Sequence, residues 1–142
     1  MPIRKHRRWF YPIDWPELSQ WVRFKRAKGR CEACGRPHGA TVAHLGDGRW
    51  WDEPASVWRS GTGKALPSHP PLLECSEPIL YTKVALAAAH LDHDLSNNAP
   101  KNLRAFCQRC HMLHDKPEHL RQRDLTYKKR RAVGDLFGGR YE

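Results

Sequence analysis

Four of the five cysteines come as two Cys-x-x-Cys pairs, Cys31/Cys34 and Cys107/Cys110, with 72 residues between them. Each pair is half of a tetrahedral thiolate set, and together they make the closed ligand shell of a structural zinc ion. In a reducing compartment such spacing predicts metal ligation rather than disulfides. Two disulfides or a redox pair are the competing readings, both poor for a cytosolic chain without a thioredoxin-like βαβ pattern. Zinc there would close a long loop. A staple of that kind suits a chain of 142 residues of which only 39% are hydrophobic, because so small a domain buries little apolar surface. Cys75 is left over and reads as a small buried hydrophobe with no assigned role.

The charge points to a polyanionic partner. Lys and Arg number 25 against 15 Asp and Glu, a net charge of +10 with a pI near 9.7. The basic residues cluster: Arg4, Lys5, Arg7 and Arg8 at one end, and Arg121, Arg123, Lys128, Lys129, Arg130 and Arg131 at the other. DNA is the expected partner, with RNA open, and counterion release would supply the affinity. For Lys128 to Arg131 a solvated helix face has equal weight. Nothing reads as a base-reading recognition helix, so weak sequence preference or targeting by a partner is expected. No run approaches the roughly 18 apolar residues of a membrane span, and no signal-peptide core follows the basic N-terminus. A cytoplasmic protein with no membrane partner is expected; the oligomeric state is open.

Residues 1–13 read as an extended basic and aromatic arm ending in Trp9, Phe10 and Tyr11. Asp14 has the position of a helix N-cap, with Pro16 in the first turn and Glu17 at capping-box spacing. Leu18, Trp21 and Val22 would share the buried face, and Gly29 is the expected stop. Cys31 to Gly35 is a zinc-knuckle turn. Residues 36–80 predict a short strand over Thr41 to His44, one or two hairpins, and a Pro-rich loop from Pro67 to Pro78. Trp50, Trp51 and Trp58 are expected as packing rather than as a base-stacking platform. Ile79 to Ala89 predicts one strand, followed by a polar loop of about ten residues to Asn102-Leu103. A helix should run from near Cys107 past His114, and a second should start at Pro117 and end at Gly138-Gly139.

The chemistry concentrates between Ala87 and Asp115, a 29-residue stretch that holds His90, His93, His111 and His114 beside the second Cys pair, with Asn97, Asn98, Asn102, Asp92 and Asp94 among them. Phosphodiester hydrolysis needs a base for water, a cation against the charge of the transition state, and rigid placement of both. A His at a strand end facing a helix that carries another His can supply both. His111 and Asp115, four apart, share a helix face, and His114 could substitute for His111. Asn97, Asn98 and Asp94 read more readily as turn formers than as ligands. His38, His44, His69 and His119 carry no assigned role.

The run His90 … Asn102-Leu103 … Cys107-x-x-Cys110-His111 resembles the HNH, or ββα-metal, endonucleases, specifically the small bacterial and phage type with two Cys-x-x-Cys pairs. The firm match covers residues 84–115, with Cys31 and Cys34 as an outlying part. The resemblance implies a two-stranded hairpin followed by a helix, with a divalent ion, Mg²⁺ or Mn²⁺, between them. It implies His90 as the general base, Asn102 as the loop residue that fixes it, and His111 as an ion ligand, in an enzyme that cuts DNA. Many members carry Asp or His just before the base, where this chain has Ala89. Either Asp92 takes that ligand role, or Asp92-His93 is the ligand and base pair with His90 in support. Asp115 is the further candidate ligand.

The expected fold is α+β. Residues 1–30 form the arm and first helix, 31–115 a zinc-stapled core with an insertion at 36–80, and 116–142 a basic helix and tail, all within one domain. The competing function is a non-catalytic zinc-knuckle nucleic-acid binder.

Overall fold

The computed structural model describes residues 3, 5–67 and 78–136, the side chains of the last four excepted. Arg4, Cys75, His69, most of the Pro67 to Pro78 loop and the Gly138-Gly139 stop lie outside the described residues. The architecture is mixed α and β. Two compact units divide it, Met1–His111 and Met112–Glu142. Among the described residues no helix is long and apolar enough to cross a membrane.

The basic arm is not extended: Lys5–Phe10 is a 3₁₀ helix with every residue exposed. It closes with the Tyr11 N–H donating to the Arg8 carbonyl at 3.2 Å. Helix α1, Trp15–Gln20, follows and continues as a π-helical turn over Trp21–Arg26. Asp14 occupies the N-cap, but its side chain makes no capping bond; its carbonyl takes the Leu18 amide instead. The helical stretch stops where expected. Lys28 and Gly29 both have positive φ, and the Gly29 N–H reaches back to the Arg23 carbonyl at 2.9 Å, a turn for which glycine is the least strained residue.

The 36–80 region supplies three strands of a four-stranded antiparallel sheet in the order β3-β2-β1-β4, whose fourth strand comes from the stretch that follows. Its strands are β1 (Thr41–His44), β2 (Trp50–Asp52), β3 (Val57–Arg59) and β4 (Leu80–Lys83). Trp50 is fully buried against Cys31, Cys34, Val42, Val84 and Phe106. Trp51 and Trp58 pair across β2 and β3, with ring centroids 5.8 Å apart, so packing accounts for all three.

The single strand expected from Ile79 to Ala89 is instead two, β4 and β5 (Ala87–His90), in different sheets. The break has a clear cause. Val84 exchanges backbone bonds with Gly39 and Ala40, whereas the Leu86 N–H is taken by His38 Nδ1 at 3.0 Å and the Ala85 N–H by Gln108 Oε1 at 3.1 Å. Val84 and Leu86 are buried, so the chain crosses from one sheet to the other through the core.

Strand β5 pairs antiparallel with β6 (Leu103–Phe106), His90 opposite Leu103 and Ala87 opposite Phe106. The back of this hairpin is covered by the N-terminal helix, where Val22, Leu103 and Ala105 pack with Trp15 and Leu18. Glu32 locks the knuckle to the hairpin: its N–H donates to the Ala105 carbonyl at 2.8 Å, and its carboxylate accepts from the Ala105 N–H at 2.7 Å and from Arg26 at 2.9 Å.

Helix α2, Gln108–Leu136, is one continuous helix through Pro117, not two. Proline there removes one backbone hydrogen bond, to Leu113. Leu113 is exposed, so water can satisfy that carbonyl. In the first turn Arg109 extends to the Gly61 carbonyl at 3.4 Å. Its guanidinium lies over Gly48, whose φ of +109° is a backbone conformation that favours glycine. The second unit, taken by itself, is solvated helix. Glu118 binds Arg121 and Gln122 at 3.0 and 2.7 Å, and Lys128, Lys129, Arg130 and Arg131 are all exposed.

Candidate metal centre and histidine loop

Cys31, Cys34, Cys107 and Cys110 bring their four sulfurs within 4.8 Å of one another, and all four are buried. Local structure places each pair. The Gly35 N–H donates to the Cys31 carbonyl at 2.8 Å and closes the first knuckle. The second pair straddles the start of α2. The Cys107 N–H points at Cys31 Sγ at 3.3 Å, and Cys34 and Cys107 sulfurs are 3.6 Å apart. Four sulfurs at about 2.3 Å from zinc stand about 3.8 Å from one another, so this centre can hold a metal ion such as zinc. The thiols meanwhile share protons. Hydrogen bonding, chiefly from Cys107, holds Cys31 far below the ordinary thiol range, while Cys110 draws Cys107 down to about 7. Cys34 and Cys110 are raised, in both cases mainly by Cys107. A loop seals the outside: a Cβ at Gly63 (φ +86°) would lie 2.9 Å from the Cys34 carbonyl.

The second feature is the loop between β5 and β6. His90 ends β5 and is only 6% exposed. The Trp15 ring stacks on it, centroids 5.1 Å apart and planes 14° apart, and Tyr11 meets it edge-on at 5.9 Å. Burial raises the Tyr11 phenol above its ordinary pKa, against the opposing charge of Arg7. His90 Nε2 lies 3.0 Å from Asn98 Oδ1. The Asn98 amide nitrogen is committed to the Leu95 and Ser96 carbonyls, each at 3.2 Å. The oxygen therefore faces the ring, Nε2 must donate, and the neutral imidazole carries its lone pair on Nδ1.

Asp92 organises the rest of the loop. Its Oδ1 accepts from Asn102 Nδ2 at 2.8 Å and from the Asp94 N–H at 2.9 Å, and its Oδ2 from Asn97 Nδ2 at 2.7 Å. These bonds, that of Asn102 first, hold its carboxyl down at about 2. Asn102 also donates to the Asn97 carbonyl at 2.9 Å and accepts from the Asp92 N–H at 3.3 Å. Asp94 is likewise lowered, by Ser96. His93 follows at a left-handed φ of 60°.

The expected residues thus take particular places. The side chain hydrogen-bonded to His90 is that of Asn98, not Asn102, which fixes the loop through Asp92. Among the described residues neither Asp92 nor His111 belongs to a group of three metal-ligating side chains with donor atoms within 4.8 Å. His111 stands in the first turn of α2, its N–H bonded to the Cys107 carbonyl at 2.9 Å, and Asp115 lies in the second unit. Lys5, Arg7 and Arg8 are exposed on the 3₁₀ helix. Sequence reasoning missed Tyr11, Trp15 and Asn98. The density of aromatic residues before Asp14 hinted at Tyr11, and nothing pointed to Trp15 or Asn98 as partners of His90. Comparison with known protein families, with characterised proteins and with solved structures finds no match.

Proposed function

We propose that the chain is a nucleic-acid hydrolase of the HNH kind, acting on DNA, with a structural zinc ion at Cys31, Cys34, Cys107 and Cys110. The observation that carries this reading is the strand–loop–strand–helix order β5, β6, α2, with a tautomer-fixed histidine ending its first strand. In this reading His90 takes a proton from water through Nδ1, Asn98 holds the opposite nitrogen, and Trp15 holds the ring plane. His93 is the alternative base, since it is the more accessible of the two. Lys5, Arg7, Arg8 and Lys128 to Arg131 position phosphates.

The donor set for a second cation fits less well than the sulfur centre. Asp92 is ionised, but two of its three acceptor contacts come from asparagine side chains of its own loop. His111, with Asp115 as the further candidate, is the residue that would hold Mg²⁺ or Mn²⁺. When bound, such an ion supplies positive charge against the phosphorane-like transition state. The burial of His90 favours one competing reading, a zinc-stabilised nucleic-acid binder without catalysis.

Plasmid nicking by the zinc-loaded chain with added manganese separates the two, run beside His90→Ala and His93→Ala. Loss of cutting in one variant, with binding retained, assigns the base. No cutting by the wild-type chain, with binding intact, defeats the hydrolase.

A further inference from the structure

The N-terminal arm has a feature that phosphate binding leaves unexplained. Trp9 is 91% exposed, Phe10 60% and Ile13 fully so, three large apolar residues within five positions. Single exposed hydrophobes are ordinary on a protein surface, but a contiguous set marks a binding site. A 3₁₀ helix has three residues per turn, so side chains three apart eclipse. His6 therefore shares a face with Trp9, and Arg7 with Phe10. Each exposed ring has a basic or titratable neighbour beside it, and Lys5 and Arg8 add charge to the same six residues. The next two aromatics turn the other way. Tyr11 and Trp15 are planted on His90 at 5.9 and 5.1 Å. The arm is thus anchored at the histidine loop and presents bare rings and cations just beyond it.

We propose that Trp9 and Phe10 form a wedge that stacks on bases of an opened or unpaired nucleic-acid segment beside His90, while Lys5, Arg7 and Arg8 hold the flanking phosphates. Apolar side chains inserted between base steps and flanked by cations act in this way, and stacking accepts any base because every base has a π-face. The cations of the arm complement a nucleic acid and an anionic membrane surface alike, and the spacing of the rings decides between them. Six residues of 3₁₀ helix with rings and cations interleaved give no continuous apolar side to lie in a lipid interface. The inference rests on the nucleic-acid part of the proposed function and not on hydrolysis.

The test measures binding of the zinc-loaded full chain, with calcium in place of magnesium or manganese, to a short DNA duplex. The same duplex with a central gap flanked by 2-aminopurine is the comparison. Stacking of one base changes affinity roughly five- to a hundredfold, so the gapped duplex should bind about tenfold more tightly, with a change in 2-aminopurine fluorescence. The Trp9→Ala, Phe10→Ala double variant should lose both effects and hold the paired duplex within about twofold, while Trp9→Phe keeps the preference. Both side chains are exposed, so folding should not change. Equal wild-type affinity for the two duplexes, or a preference that survives the double variant, overturns the wedge. So does loss of binding to phosphatidylserine vesicles by the double variant without loss on DNA. Gap preference without manganese-dependent nicking would sink hydrolysis alone; nicking without gap preference would sink the wedge alone.

Discussion

The cysteine centre and the histidine loop are both built from residues capable of chemistry, yet they are finished in opposite ways. In the loop, polar side chains satisfy one another: Asp92 with Asn97 and Asn102, His90 with Asn98, Asp94 with Ser96. At the cysteine centre four thiols face one another in the core, with protons unevenly shared and only weak sulfur contacts between them. A polar cluster that closes on itself holds its shape without help. Converging thiols acquire their full stability only when an ion replaces their protons. The difference teaches which site depends on an ion for its stability and which is held by its own hydrogen bonds.

The sharpest way to break this contrast is to remove the ion. Structural zinc contributes on the order of 10 kcal/mol in small metal-dependent folds. Chelation, or Cys107→Ser, should therefore abolish cooperative thermal unfolding, while elemental analysis of the untreated protein finds one zinc per chain. A chain that melts identically with and without chelator would show that the core suffices.

Next in size is His90→Ala. In the proposed hydrolase, removing the general base costs about 10²- to 10⁴-fold in rate, so nicking should fall at least a hundredfold while the metal content is unchanged. A smaller effect is expected for Asn98→Ala, which releases the Nε2 proton from its acceptor. Loss of such a supporting contact should lower activity about tenfold, and the imidazole ¹⁵N shifts should report a mixture of tautomers. Unaltered shifts would mean that another group sets the proton.

The smallest effect belongs to Asp92. Its folded carboxyl is depressed from the ordinary value of 3.8 to about 2. The stabilisation it lends the loop is accordingly complete above 3.8 and lost as pH falls through about 2. Side-chain amide signals of Asn97 and Asn102 should shift together across that window, and Asp92→Asn should erase the transition. Because Asp92 is exposed, this is a local change, visible in the loop and not in global unfolding.

Much of the architecture follows from local chemistry that one dimension displays. Paired cysteines at knuckle spacing, Gly29 as a stop and the β-rich insertion around Thr41 to His44 depend on near neighbours, and all of them stand in the structure. The two strands hidden in Ile79 to Ala89 do not. Their break is imposed by Gly39, Ala40, His38 and Gln108, each far away in sequence. Continuity through Pro117 likewise depends on solvent at Leu113. At the histidine loop, composition marked the right dozen residues but could not distribute their hydrogen bonds. Asn98 and Asn102 are the same residue type four positions apart, and only the path of the folded loop gives one to His90 and the other to Asp92. The sequence by itself determined that four sulfurs would meet, because a thiolate quartet has one favourable geometry. Tertiary structure alone decided that Tyr11 and Trp15 cover His90, because ring stacking carries no spacing signature along the chain.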